Sequence, residues 1–284
     1  MTAITSATAA AGAGVGTRFG WAVSDALRMA RRNLLRLLRA PDQVVFTLIS
    51  PVMFTVLFRF VFGGAIQGLP SGSYATYLIP GIAVQTAVFA AGTTGFALAD
   101  DLQKGFIDRL RSLPMARSAV LAGRMLSDLV NSAVQILVLV AVGFAVGFRT
   151  GSWLGLVLGL VLLLGFSLSI SVVFALVGMS VSTVEAVNAA TFPVVFPLTF
   201  ASSAFVPVAT MPGWLQGFAY HQPVSTVVNA VRSLTEPHLS SGARQLLFDG
   251  ESTRSLVLQS LGWTVAVTVV FGFLAVRKYR SLSD

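Results

Sequence analysis

Beyond Arg18, six stretches of at least 16 residues in this 284-residue chain contain no Asp, Glu, Lys or Arg: 16 residues from Gln43 to Phe58, 40 from Phe60 to Ala99, 20 from Leu129 to Phe148, 35 from Thr150 to Val184, 46 from Ala186 to Val231 and 22 from Ser255 to Val276. A hydrocarbon core of about 30 Å is crossed by about 20 helical residues rising about 1.5 Å each. The runs therefore hold six candidate spans, near 43–62, 76–98, 129–148, 154–180, 188–206 and 256–276. Inside lipid each unsatisfied backbone group costs several kcal/mol, so a crossing segment is a helix or belongs to a closed barrel. The runs are continuously apolar rather than alternating, which selects helices. The fold class this predicts is an all-α membrane protein with six transmembrane helices.

Composition supports that reading. Charged residues make up 11% of the chain and hydrophobic ones 55%, with a mean hydropathy of +0.81. A soluble domain carries roughly 25% charge, so an ordinary soluble enzyme is excluded, as is a mostly disordered chain. The absence of cysteine excludes disulfide scaffolds, Cys-ligated zinc and iron–sulfur clusters. The net charge of +8 comes from 19 basic and 11 acidic residues, a balance that first suggests nucleic acid. Location decides otherwise. With the N-terminus inside, the inner segments hold Arg18, Arg28, Arg31, Arg32, Arg36, Arg39, Lys104, Arg109, Arg111, Arg117, Arg124, Arg277, Lys278 and Arg280, fourteen in all. The outer segments hold four, Arg149, Arg232, Arg244 and Arg254, and Arg59 lies within the first span. Basic residues concentrate on the cytoplasmic side of membrane proteins. The excess is thus topological, both termini are cytoplasmic, and no nucleic-acid partner is expected.

Along the chain, residues 1–17 are mostly Ala, Gly, Thr and Ser without charge and read as a disordered tail. From 18 to 40, Leu27, Ala30, Leu34, Leu37 and Leu38 recur at helical spacing, with Arg28, Arg32, Arg36 and Arg39 on another face. This is a basic amphipathic helix suited to an anionic membrane surface; a solvated charged helix is the alternative. Ala40-Pro41 ends it, because the residue before proline avoids the α region. In span one, Arg59 sits near the outer end, within snorkelling reach of the headgroups, with a place on a substrate path as the alternative. In span two, Gly92 and Gly95 leave room for another backbone. Residues 100–128 form the longest inner connection and the only one rich in both signs of charge. A plain link between two helices needs about two to eight residues, so a segment this long has a task of its own; a helix lying along the headgroups is the bland alternative. Glu185, the one charge between spans four and five, reads as a solvated turn residue, with a proton-relay role as the alternative. Span five carries Pro193 and Pro197, a stripe of Phe192, Phe196, Phe200 and Phe205, and the hydroxyls of Thr199, Ser202 and Ser203. The outer segment 207–255 opens with aromatic, amphipathic sequence that suits short helices at the outer interface, where Trp214 and Tyr220 would sit. His221 fits a capping role, since His238 is the only other histidine.

Several chemistries are missing. The chain has no G-x-x-x-x-G-K-[ST] phosphate loop, no H-E-x-x-H and no G-x-S-x-G. No span contains an Asp/Glu pair of the kind that couples carriers to protons or sodium. Uphill movement of any cargo would need energy from another polypeptide.

One loop carries a recognisable pattern. Asp101, the run Lys104-Gly105-Phe106-Ile107-Asp108-Arg109-Leu110-Arg111-Ser112-Leu113-Pro114 and the pair Gly123-Arg124 resemble the signature of ABC-2-type permeases. That signature is an acidic residue, a basic-Gly pair, a short apolar and charged helix, then Leu-x-x-x-Pro. The version here is similar to the daunorubicin/doxorubicin-resistance branch of the family. Met211-Pro212-Gly213-Trp214-Leu215, Gln222-Pro223 and Arg232 resemble a second block, although most families have Asn-Pro where this chain has Gln222-Pro223. The likeness covers about residues 20–280.

The resemblance implies an ABC-2 fold of the type V exporter kind, in a single transmembrane domain over 18–280. It implies a permease, not an enzyme, in the plasma membrane of a bacterium. Its partners would be a second copy of the chain, two cytoplasmic ABC ATPases that hold the ATP and Mg, and membrane lipids; the chain itself needs no cofactor or metal. The first helix would lie on the inner surface. The loop after span two would seat on the ATPase, so Lys104, Gly105, Phe106, Ile107, Asp108, Arg109, Leu110 and Arg111 would carry coupling. Spans two and five would line the substrate route, through Gln85, Phe89 and Thr93 and through Phe196, Thr199, Phe200 and Ser203. The cargo implied is a hydrophobic or amphiphilic drug or lipid-like compound moved out of the cell. The alternatives are export of a cell-envelope lipid or polysaccharide, and a membrane enzyme or scaffold, for which no catalytic constellation is visible.

Overall fold

The structure, a computed structural model, describes residues 41–64, 73–104, 117–181 and 183–281. The tail at 1–17, the basic helix with Arg28, Arg32, Arg36 and Arg39, and residues 105–111 of the coupling segment lie outside the described residues. Among the described residues the chain is helical throughout, with nine α-helices and one 3-10 turn. They are α1 (Pro41–Phe62), α2 (Tyr74–Gln103), α3 (Arg117–Ala145), α4 (Trp153–Ser180), α5 (Val184–Phe200), the 3-10 turn Val208–Thr210, α6 (Gly213–His221), α7 (Pro223–Thr235), α8 (Ser241–Phe248) and α9 (Thr253–Ser281).

Local chemistry sets the helix starts. Ser73, Ser152, Thr183 and Ser240 each place a side-chain oxygen to accept from the backbone N–H three residues on, capping α2, α4, α5 and α8. Pro223 opens α7, where its missing N–H costs nothing. Among the described residues four stretches are long and apolar enough to cross a membrane: Tyr74–Gln103, Gly123–Ala145, Trp153–Ser180 and Ser241–Tyr279, the last of which contains most of α9. The apolar stretches Thr47–Phe62 and Val184–Phe200 are shorter. At 17 residues, α5 spans about 26 Å. It stops at Phe200, six residues before the end expected from the sequence.

α2 is the axis of the bundle. It packs on α1, α3, α4, α5 and α7, and it is buried along most of its length. Two of its glycines are needed for that. A Cβ on Gly81 would collide with the Ala204 carbonyl, and one on Gly95 would lie 2.8 Å from the Phe174 carbonyl of α4. Gly178 of α4 faces Gly95 in turn, so the two backbones touch. Gly92, by contrast, meets the rings of Phe174 and Phe96 at ordinary contact distance.

α7 is the main departure from the sequence reading. The opening part of the segment 207–255 was expected to form short helices at the outer interface. α6 is such a short helix, with Trp214 82% exposed. α7 instead inserts between α4, α9 and α2, and eleven of its thirteen residues are buried. Its Val224, Val227, Val228 and Val231 join the main apolar core, while its polar residues find partners inside the bundle. Arg59 also has a protein partner rather than headgroups alone: its Nε donates to the Val146 carbonyl just beyond α3, at 3.3 Å. Glu185 is exposed on the first turn of α5, where a negative charge suits the helix dipole.

Candidate functional site

Midway along α2, bounded also by α1, α3 and α5, lies an apolar cavity of about 360 Å³. Sites for small molecules run from about 300 to 1,000 Å³. α2 contributes Gln85, Thr86, Phe89, Ala90 and Thr93; α5 contributes Phe192, Phe196 and Phe200. Four-residue steps in both helices align these side chains as stripes. α1 adds Thr47, Ser50, Pro51 and Phe54, and α3 adds Gln135.

The aromatic wall is continuous. Phe192 stacks on Phe196 and Phe196 on Phe200, with ring centroids 5.4 and 4.2 Å apart. Phe205 continues the series against Phe200 at 5.2 Å and passes it to Phe58 of α1 at 4.6 Å. Phe58 then meets Phe54 at 5.9 Å, which closes the ring of phenyl groups back onto the cavity. Such contacts add roughly 0.5–1.5 kcal/mol per pair beyond burial, so the wall is both adhesive and stiff.

Of the seven residues that the resemblance placed on the substrate route, Gln85, Phe89, Thr93, Phe196 and Phe200 line this cavity. Thr199 and Ser203 do not. Thr199 is buried and its hydroxyl donates to the Val195 and Phe196 carbonyls of its own helix. Ser203 lies past the end of α5, where its hydroxyl donates to Asn229 Oδ1 at 2.8 Å. Thr86, Ala90, Phe192, the α1 residues and Gln135 were not placed on the route, although Phe192 stood on the aromatic stripe. Gln135 left a signal: an amide inside an uncharged membrane run needs a partner. The wall also holds two amides with an unmet end. Gln85 and Gln135 are both 4% exposed, and the Nε2 of each is buried without an acceptor. A buried donor left unpaired costs about 1–3 kcal/mol.

At the end of the bundle near Arg149, a second polar cluster is built around one arginine, with Gln222 Oε1 and Glu236 Oε1 at its edge buried without a partner. Arg232 of α7 is completely buried. Its Nε and Nη2 donate to the Tyr77 carbonyl at 3.2 and 2.9 Å, Nη2 also to the Ser203 carbonyl at 3.1 Å, and Nη1 to Asn229 Oδ1 at 3.2 Å. The guanidinium carbon lies 3.7 Å from the Tyr77 ring centroid, a cation–π contact. The Tyr77 hydroxyl donates to the same Ser203 carbonyl at 2.7 Å, and the Ser203 N–H donates to Ser225 Oγ at 3.0 Å. One side chain thus ties α2, the turn after α5 and α7 together. Gln222, at the position where the resemblance noted a departure, donates from Nε2 to the Ala201 carbonyl at 3.0 Å. Just beyond α7, Glu236 lines an open cavity of about 530 Å³ with Arg149 and His238. Burial pushes its carboxyl up to about 7, with the Arg232 charge pulling the other way.

Towards the opposite end, Arg124 and Asp128 of α3 form an ion pair at 3.2 Å. Asp128 accepts from Thr94 Oγ1 at 2.7 Å, and Arg124 Nη2 donates to the Thr93 carbonyl at 3.3 Å. The start of α3 is thereby fastened to the residue that closes one end of the cavity. Of the coupling residues Lys104–Arg111, only Lys104 is described; it pairs with Asp100 at 2.7 Å in an exposed i, i+4 bridge.

Comparison with known proteins bears on the whole assembly. A profile of the ABC-2 type transporter family matches residues 26–235, a stretch that takes in the cavity and the Arg232 cluster. The chain is 35% identical over 214 residues to the daunorubicin resistance ABC transporter permease protein DrrB1 of Streptomyces coeruleorubidus, covering 75% of each chain. It is 26% identical over 262 residues to the probable doxorubicin resistance ABC transporter permease protein DrrC of Mycobacterium tuberculosis, covering 92% of this chain and 90% of that one. A putative transport permease, ycf38 of Cyanophora paradoxa, is 25% identical over 263 residues, covering 90% and 89%. Family profile, relatives and helical membrane architecture agree: the chain belongs to the ABC-2 type transporter family and is a multi-pass membrane permease rather than an enzyme.

Proposed function

We infer that this permease moves hydrophobic or amphiphilic small molecules out of the cell through the cavity between α1, α2, α3 and α5, driven by ATP hydrolysed on partner subunits. The observation that carries this reading is the phenylalanine-walled cavity at mid-bundle, which gathers two helical stripes onto one space. Apolar burial at about 25 cal/mol per Å² and ring contacts would dominate binding there. Phe89, Phe192 and Phe196 are 40%, 56% and 43% exposed in the single chain, which leaves the cavity open on one side for a second copy or for entry from lipid. Such a space suits planar or acyl-type cargo better than a hydrated polysaccharide, which needs a wider polar channel.

The working assembly is two permeases and two ABC ATPases in a bacterial plasma membrane, with α1 and α5 completing six crossings and both termini cytoplasmic. Lys104–Arg111 seat on the ATPase, and the helix at 18–40 lies on the inner surface. Closure of the ATPases would reach the cavity through α3, whose Arg124 holds the Thr93 carbonyl. The change of access would be a two-state rearrangement of packed helices. The relatives' names supply the cargo class: drugs of the daunorubicin kind for the Streptomyces protein.

Two variants test the reading in cells that express the permease with its ATPase. Phe200→Ala opens the stacked wall and lowers efflux of a hydrophobic dye at least about fivefold, with membrane insertion kept. Arg109→Glu abolishes efflux and uncouples ATP hydrolysis, also with insertion kept. Unchanged efflux in the first variant contradicts the cavity as route, and unchanged efflux in the second contradicts the coupling segment.

A further inference from the structure

The two unmet amides in the cavity wall point to the chemistry of what fills it. Gln85 comes from α2 and Gln135 from α3, both are 4% exposed, and both have a buried Nε2 without an acceptor. Elsewhere many buried polar groups are met: the Arg232 guanidinium makes four hydrogen bonds, and the hydroxyls of Ser167, Thr199 and Ser203 all donate. Among the described residues Thr191 Oγ1, Gln222 Oε1 and Glu236 Oε1 are also buried without a partner, but none of them lines this space, whereas the two unmet amide N–H groups, on different helices, both do. Its lining contains no Asp, Glu, Lys or Arg among the described residues. A carboxylate cargo would find no cation there, and an ammonium would find no anion. A pure hydrocarbon would fill the volume and leave both N–H groups unmet, which is how a site built on hydrogen bonds rejects an analogue that lacks the acceptor.

We propose that Gln85 and Gln135 form a paired donor site selecting neutral, largely apolar molecules that carry a carbonyl-type acceptor oxygen, with the phenyl wall covering the apolar body. This rests on the reading of the cavity as the transport site and deepens it by naming the polar feature of the cargo. It also makes Gln135 a specificity-determining residue. A carbonyl oxygen has two lone pairs, so it can accept from an amide N–H on either helix.

The probe pair is fluorenone and fluorene, two flat tricycles of nearly equal size that differ by one carbonyl. Saturable binding of each in tritiated form is measured on the full chain with its copurified ATPase, in nanodiscs of diether phospholipid. Those lipids lack acyl carbonyls, so they cannot supply the acceptor; a parallel measurement in diester lipid shows whether lipid esters compete. The wild-type complex binds fluorenone about tenfold or more tightly than fluorene, and the preference narrows in diester lipid only if lipid carbonyls occupy the site. Gln85→Leu and Gln135→Leu each lower fluorenone affinity at least about fivefold, leave fluorene affinity unchanged or higher, and do not lower thermal stability, because an apolar residue of similar shape removes an unmet donor. Equal saturable binding of the two probes to wild type, each displacing the other, overturns the donor site and leaves the cavity as transport site standing. No saturable binding of either probe overturns both. The wild-type comparison needs no variant to fold.

Discussion

Arg232 shows how one residue does work that its sequence context does not announce. Counted along the chain it is one of four basic residues in outer segments, and outer loops are where an exposed arginine is unremarkable. In the structure it is 0% exposed and bonded to carbonyls of Tyr77 and Ser203, with the Glu236 carboxyl acting on it electrostatically but no hydrogen bond to a carboxylate among the described residues. Burial of that charge is tolerated because the planar fork meets several acceptors and an aromatic face at once. Arg232→Ala removes the donors and leaves those acceptors buried, which costs about 3 kcal/mol. The expected readout is a melting temperature in detergent several degrees lower. Arg232→Lys keeps the charge without the fork and falls between the two; a lysine variant as stable as wild type would show that charge alone suffices. Glu236 gives a pH dependence. Its folded carboxyl titrates near 7 against a reference of 4.5, so the folded state holds a proton that the unfolded state has released. Its contribution is most favourable below about pH 4.5 and is lost as pH rises from there to about 7. Melting measured across that window should show a downward component that Glu236→Gln removes, and the variant should be the more stable at pH 7.5. The phenylalanine stripe was legible because it repeats at helical spacing. Whether its rings faced lipid or one another was not, since orientation depends on neighbours that one sequence does not reveal.

At the scale of elements, uncharged runs located α2, α3, α4 and α9 well because length and hydropathy alone decide such helices. They failed to divide the 46-residue run from Ala186 to Val231. That run contains a short helix, a turn, a surface helix and most of a buried one. Charge absence looks the same for all four. The turn after Phe200 forms because side chains meet its polar groups: Ser225 accepts from the Ser203 N–H and Gln222 donates to the Ala201 carbonyl. α7 is then buried by its valines, a cue that an interfacial helix also offers. The contact of α2 with α4 rests on Gly95 and Gly178. Gly178→Val forces those backbones apart and should cost about 2 kcal/mol or more, seen as lower yield and melting temperature. Gly165→Ala, on the same helix with open space around it, is the control; it should be neutral or stabilising by up to about 1 kcal/mol. Equal effects of the two would refute close packing as the reason for Gly178.

The whole molecule contains a cavity, an aromatic wall and a fastening from α3 to Thr93 in the cavity lining, and its sequence has no phosphate-binding loop. On the proposed function it is a gate without an energy source of its own. Reconstitution into liposomes with an internal quenching dye, with and without the cognate ATPase and with and without ATP, tests that claim most directly. The account predicts uphill export of a hydrophobic substrate only when permease, ATPase and ATP are all present. Export of the same extent by the permease alone would contradict it.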